Sequence, residues 1–160
     1  MPARSRLAND AWEALLSAHA RLMKQFAAED VWQDLSMREY DVLYTLSKRR
    51  EPVRMGELHR HVLLSQPALS RMVDRLVERG LIQRCPDPAD GRGVRLSLTD
   101  AGRDKQHQIG RAHARSVARA VTAELRPDEL RQLGAICWKL AGRPAATGAP
   151  AKDEKELART

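Results

Sequence analysis

Apolar residues recur three and four positions apart over most of this chain and alternate in only one short stretch, which predicts helices with one small sheet. Asn9 or Asp10 is placed to cap a first helix whose Trp12, Leu15, Leu16, Leu22, Met23 and Phe26 form one stripe, with His19 on it. Ser36-Met-Arg-Glu39 is a capping box, so a second helix begins there and runs through Tyr40, Leu43 and Leu46. Pro52 ends the following loop, and Met55 to about Val62 makes a short third helix anchored by Leu58. Ser65 caps a fourth helix. Pro67 lies in its first turn, where a missing amide proton costs nothing, and Leu69, Met72, Val73 and Leu76 share one face. Gly80 stops that helix, and Leu81 to Cys85 starts a strand. Val94, Leu96 and Leu98 alternate with Arg95 and Ser97 in a returning strand. Between the two, Pro86 to Gly93 is full of turn formers and too polar to pack. Thr99 caps a long fifth helix through Ile109, Ala112, Ser116, Val117 and Ala120. Pro127 opens a sixth with Leu130, Leu133, Cys137 and Leu140 at heptad-like spacing.

A short helix, a tight turn, a second helix and then a basic hairpin form a helix-turn-helix with a wing. The expected fold is therefore mainly α with a small β-wing, six helices in all, divided into a winged helix-turn-helix domain and a helical dimerisation region. The expected boundaries are 1–35 for the N-terminal helix of the dimerisation region and 36–99 for the DNA-binding domain. The C-terminal helices of the dimerisation region take 100–141, and 142–160 is a small, charged, turn-rich tail expected to be disordered. The first helix and the last two hold more apolar face than a small winged-helix core can cover, which points to a helical homodimer interface at Leu130, Leu133, Cys137 and Leu140.

The polar face of the fourth helix carries the candidate chemistry. Ser65, Gln66, Pro67, Ser70 and Arg71 cluster at its start, with Arg75 one turn further on. A helix of this kind fits the major groove, where Arg donates twice to guanine and Gln pairs with adenine. Arg75, further from the amino end, is expected at a phosphate. On the hairpin, Arg92 stands between two glycines, a shape that can enter the minor groove, and Asp90 is expected to orient an arginine.

Charge agrees with this assignment. Lys and Arg number 28 against 21 Asp and Glu, a formal net charge of +7, the balance of a polyanion binder. Aromatics are only 4%, which argues against stacking on single strands. The five histidines form no metal-binding pattern, and no phosphate loop or nucleophile elbow is present, so neither catalysis, a metal nor a cofactor is expected. No stretch reads as a signal sequence or a membrane span, and a cytoplasmic protein with reduced Cys85 and Cys137 is expected.

Asp90-Gly-Arg-Gly-Val-Arg-Leu-Ser-Leu-Thr-Asp-Ala-Gly102 resembles the wing of the MarR family of winged-helix regulators and the Leu-Thr-x-x-Gly motif that follows it. Ser65 to Arg71 and Leu76 to Ile82 are similar to that family's recognition-helix stretch, and the likeness extends over about residues 7 to 141. It implies an obligate homodimer on a pseudo-palindromic double-stranded operator, commonly a repressor released by a small-molecule effector or by oxidation. It also implies an effector pocket where helices one, two and five meet, for which Trp12, His19, Tyr40 and Tyr44 are candidates. Neither cysteine lies in the amino-terminal helices where the peroxide-sensing branch keeps its thiolate, so both are read as inert small hydrophobes. The alternative is a winged-helix architectural or protein-interaction module whose basic charge gives mainly non-specific DNA affinity.

Overall fold

The computed structural model describes residues 3–142, apart from the side chains of Gly91 and Arg92. Six helices and a three-stranded antiparallel sheet are ordered as α1 (Ala3–Ala27), α2 (Met37–Ser47), β1 (Val53–Arg54), α3 (Met55–His59), α4 (Gln66–Glu78), β2 (Ile82–Asp87), β3 (Asp90–Leu98), α5 (Asp100–Thr122) and α6 (Pro127–Leu140), with a 3-10 turn at Asp30–Trp32. The sheet order is β1-β3-β2. Val53 faces Leu96 and Ile82 faces Leu98, so both outer strands lay their apolar side against β3. No described helix is long and apolar enough to cross a membrane.

Two compact units divide within α5, between Val117 and Ala118. The first holds the core: Val42 and Leu43 of α2, Leu58 of α3, Leu69, Val73 and Leu76 of α4, Ile82, Leu96 and Leu98 of the sheet and Ile109 of α5 are all essentially closed to solvent. Leu69, Val73 and Leu76 lie on one helical stripe, so burying it leaves the opposite face of α4 in water. In the same unit, α1 buries only Phe26, and Leu7, Trp12 and Leu16 stay exposed. The second unit contains α6, none of whose residues is buried.

The local stops and starts follow sequence chemistry closely. Ser36 and Glu39 form the capping box, the Ser36 hydroxyl accepting from the Glu39 amide at 3.2 Å and Glu39 Oε2 accepting from the Ser36 amide at 2.8 Å. Gly80 ends α4 at φ 69, a conformation that favours glycine. The Thr99 hydroxyl accepts from the Gly102 amide at 2.9 Å and donates to the Gly80 carbonyl at 2.7 Å, so one side chain caps α5 and fastens it to the end of α4.

Several boundaries differ from expectation. Helix α1 begins at Ala3, upstream of Asn9 and Asp10, and α3 ends at His59 rather than near Val62. Ser65 occupies the N-cap of α4 with extended backbone, but its hydroxyl makes no capping bond. The wing is longer than expected: β2 and β3 continue through Pro86, Asp87 and Asp90, leaving only Pro88 and Ala89 as the turn. Residues 143–160 of the expected tail lie outside the described residues.

Candidate nucleic-acid interface

Helices α3 and α4, joined by residues 60–65, form the helix-turn-helix, and the turn is held where His59 Nε2 meets the Leu64 carbonyl at 2.9 Å. Because Leu69, Met72, Val73 and Leu76 are buried, Gln66, Pro67, Arg71 and Arg75 stand exposed, with Ser70 half-buried among them. Among the described residues Arg71 pairs with no carboxylate, so its guanidinium keeps its donors for an outside acceptor. Arg75 lies 3.9 Å from Glu39, a loose pair exposed on the arginine side only. Asp74, on the same helix, is engaged by Arg84 of β2, which ties α4 to the wing.

The acid that organises the wing is Asp87, which the sequence did not single out. Its carboxylate is fully closed to solvent and lies between Arg54 Nε of β1 and Arg95 Nε of β3, the latter at 3.0 Å. It also accepts from the Ala89 amide at 3.0 Å, inside the wing turn. That amide bond, joined by those from the two guanidiniums against the cost of burial, holds the Asp87 carboxyl below the usual carboxylate range. Asp90 begins β3 and is exposed, while the side chain of Arg92 lies outside the described ones.

At the opposite end of α4, Arg79 pairs with Asp34 at 2.6 Å, and Lys105 of α5 pairs with the same carboxylate. The Lys105 hydrogen bond above all, with a smaller contribution from Arg79, holds the Asp34 carboxyl below its ordinary pKa against the cost of desolvation.

Behind this surface, Phe26, Trp32, Tyr40 and His113 form an aromatic cluster with ring centres 4.8 to 5.8 Å apart. Burial lowers the pKa of His113, against the pull of Glu29 upward. Burial also raises that of Tyr40, which reaches Gln106 of α5. A cleft of about 840 Å³ opens in the same unit, lined by His19 and Lys24 of α1, Arg38, Asp41 and Tyr44 of α2, and residues 61–64. Burial raises the Asp41 carboxyl above its ordinary value. Of the four candidate pocket residues, His19 and Tyr44 line this cleft. Tyr40 packs in the aromatic cluster, and Trp12 is an exposed residue of α1 that does not line the cleft. Of the candidate interface residues on α6, Leu133 and Leu140 are exposed, and Leu130 and Cys137 half-buried.

The model of the MarR family matches residues 33–93, from the loop before α2 through the wing tip. Over these residues the chain is similar to the MarR family. It is similar to the multiple antibiotic resistance protein MarR of Escherichia coli, 35% identical over 84 residues that cover 52% of this chain and 58% of that protein. The chain spans about half the length of the curated relatives it matches, 57%, 42% and 58% for three of them. Among solved MarR-family structures it is similar to Sco3205 of Streptomyces coelicolor in complex with DNA, with a TM-score of 0.72, 26% identity and 88% of each chain covered. It is also similar to the PcaV transcriptional regulator of the same organism in complex with its natural ligand, with a TM-score of 0.62, 26% identity, and 82% and 89% covered. The winged-helix architecture is thus shared with these solved structures over most of the chain, while sequence likeness to the family concentrates on the helix-turn-helix and wing.

Proposed function

We propose that this chain is a sequence-specific DNA-binding transcriptional regulator, acting as a repressor that binds a pseudo-palindromic operator as a homodimer. The observation that carries the proposal is the solvent side of α4, where Gln66 and Arg71, the latter without a carboxylate partner among the described residues, are both exposed within the first two turns. Two bidentate-capable side chains at that end are what base edges in the major groove require. Arg75 is assigned to a phosphate, and Ser65, Pro67 and Ser70 to the close-packed start of the same surface. Arg92, with Asp90 beside it, is assigned to the minor groove at the wing.

The homodimer is supported by the exposed Leu133 and Leu140 of α6, and separately by the exposed Leu7, Trp12 and Leu16 of α1. Release by a small molecule is supported by the cleft beside Tyr44 and His19, which is of the size that ligand pockets take. The solved likeness of a ligand-bound relative adds to that support.

Selection of bound sequences from random duplexes tests the proposal. A regulator should prefer its selected site over random duplex by about a thousandfold or more. A ratio near unity with steep salt dependence would instead identify an architectural module that holds DNA by charge alone.

A further inference from the structure

The wing base contains a carboxylate closed off from solvent and held by two arginines. The Asp87 side chain has no exposed surface and makes no apolar contribution, and buried ion pairs are poor sources of stability because desolvation offsets their attraction. What this one does is geometric. Through Arg54 it reaches β1, the two residues that lead directly into α3; through Arg95 it reaches β3; and through the Ala89 amide it reaches the wing turn. Arg95 in turn donates from Nη1 to the Pro52 carbonyl at 3.3 Å, fastening β3 to the residue that precedes β1.

The position of Asp87 in the ladder gives these bonds their leverage. Regular pairing runs from Ile82 opposite Leu98 to Pro86 opposite Val94, then shifts, so that Asp87 faces Asp90. Backbone pairing therefore stops specifying direction at this residue, and a side chain takes over. Gly93 closes against it: a Cβ there would stand 2.9 Å from the Asp87 Cβ. One carboxylate thus joins β1, β3 and the wing turn at the root of the tip.

We propose that Asp87 is a positioning residue for DNA binding, tying the wing to the start of the helix-turn-helix and so aiming the tip that carries Arg92. The proposal rests on the DNA-binding function inferred above. Buried polar groups of this kind are best understood as fixing one geometry among several of similar energy.

The experiment uses the full chain and a duplex recovered by selection from random DNA, titrated over a range of salt, with thermal unfolding measured alongside. Arg92→Ala should reduce the slope of log affinity against log salt by about 0.9 if the tip neutralises one phosphate's worth of charge. Asp87→Asn should reproduce that reduction with base preferences at the α4 positions kept, and Asp87→Asn with Arg92→Ala should lose no more than either alone. Arg54→Gln breaks the same tie from its half-exposed end, so it should give part of the same loss even if Asp87→Asn folds poorly. An Asp87→Asn protein that is less heat-stable but keeps the wild-type salt slope, or losses that add in full with Arg92→Ala, would overturn the positioning role. If Arg92→Ala leaves the slope untouched while the wild type binds its site, the aimed tip is wrong and the regulator assignment stands. If the wild type shows no salt-dependent duplex binding, both fall.

Discussion

Replacing Gly102 by Ala tests whether α4, the wing and α5 are joined without slack. A Cβ built on Gly102 would lie 1.9 Å from the Leu81 carbonyl oxygen and 2.9 Å from its carbon, both backbone atoms that cannot swing aside. Relief requires α5 to retreat by roughly 1 Å, and the interior is too close-packed to absorb that locally. The retreat pulls on the Thr99 amide bond to Leu81 at 3.2 Å, on the Thr99 hydroxyl bond to Gly80 and on the Gly102 cap itself. Losing a cap costs about 1 kcal/mol, a backbone hydrogen bond about 1 kcal/mol and overpacking about 1 to 3 kcal/mol, while the better helix propensity of Ala returns up to about 1 kcal/mol. The expected net destabilisation is about 2 to 5 kcal/mol. Urea titration of both proteins at one fixed concentration measures it, since subunit association would otherwise shift the midpoint. Gly56→Ala in α3 is the companion control: nothing stands within 4 Å of its new Cβ, so it should stabilise by about 0.5 to 1 kcal/mol. A Gly102→Ala protein as stable as the wild type would show that the junction yields and that the steric argument is mistaken.

Gln66→Ala and Arg71→Ala should each cost about 1 to 3 kcal/mol on the selected site and relax preference at particular positions, read by repeating the selection with each variant; unchanged preferences in both would remove α4 from the base edges. Leu133→Glu with Leu140→Glu should give monomer or unfolded chain and a collapse of operator affinity. In sedimentation, a folded dimer would instead show that these exposed leucines face only water. His113 titrates below its ordinary value because burial disfavours its cation, so the folded state holds the ring neutral while the unfolded chain takes up a proton near pH 6.5. Stability from this group is complete above that pH and declines as pH falls below it; Glu29 is the facing charge that moderates the effect. His113→Phe should flatten that part of the stability profile between pH 7.5 and about 5, and an unchanged slope would mean the ring carries its charge when folded.

The helix-turn-helix was legible because its signals are local. Ser36 with Glu39, Pro67 with the stripe from Leu69 to Leu76, and Gly80 each act within one or two turns of chain. The wing strands were legible from the alternation at Val94, Leu96 and Leu98, but not their length, because Pro86 and Asp87 look like loop residues until β3 pairs with them. Strand β1 is two residues long and has no period to detect. Asp87 was overlooked because its partner Arg54 lies 33 positions away, and a Pro-flanked aspartate in a polar stretch carries no mark of burial. The reach of α1 back to Ala3 was missed for a related reason: a helix whose first turns are exposed leaves no apolar stripe to follow.

The β1-β3-β2 order also bears on how copies of this chain can meet. A three-stranded sheet has two outer edges whose backbone groups could recruit a strand from another molecule. Here one edge is the two-residue β1, too short to template anything, and the other is β2, which bears Arg84 and then Pro86, a residue with no amide proton to donate. The wing thus carries built-in protection against strand addition and the aggregation it leads to. The homodimer proposed above, built on helical side chains, would then have its register and stoichiometry set by shape rather than by an open-ended ladder.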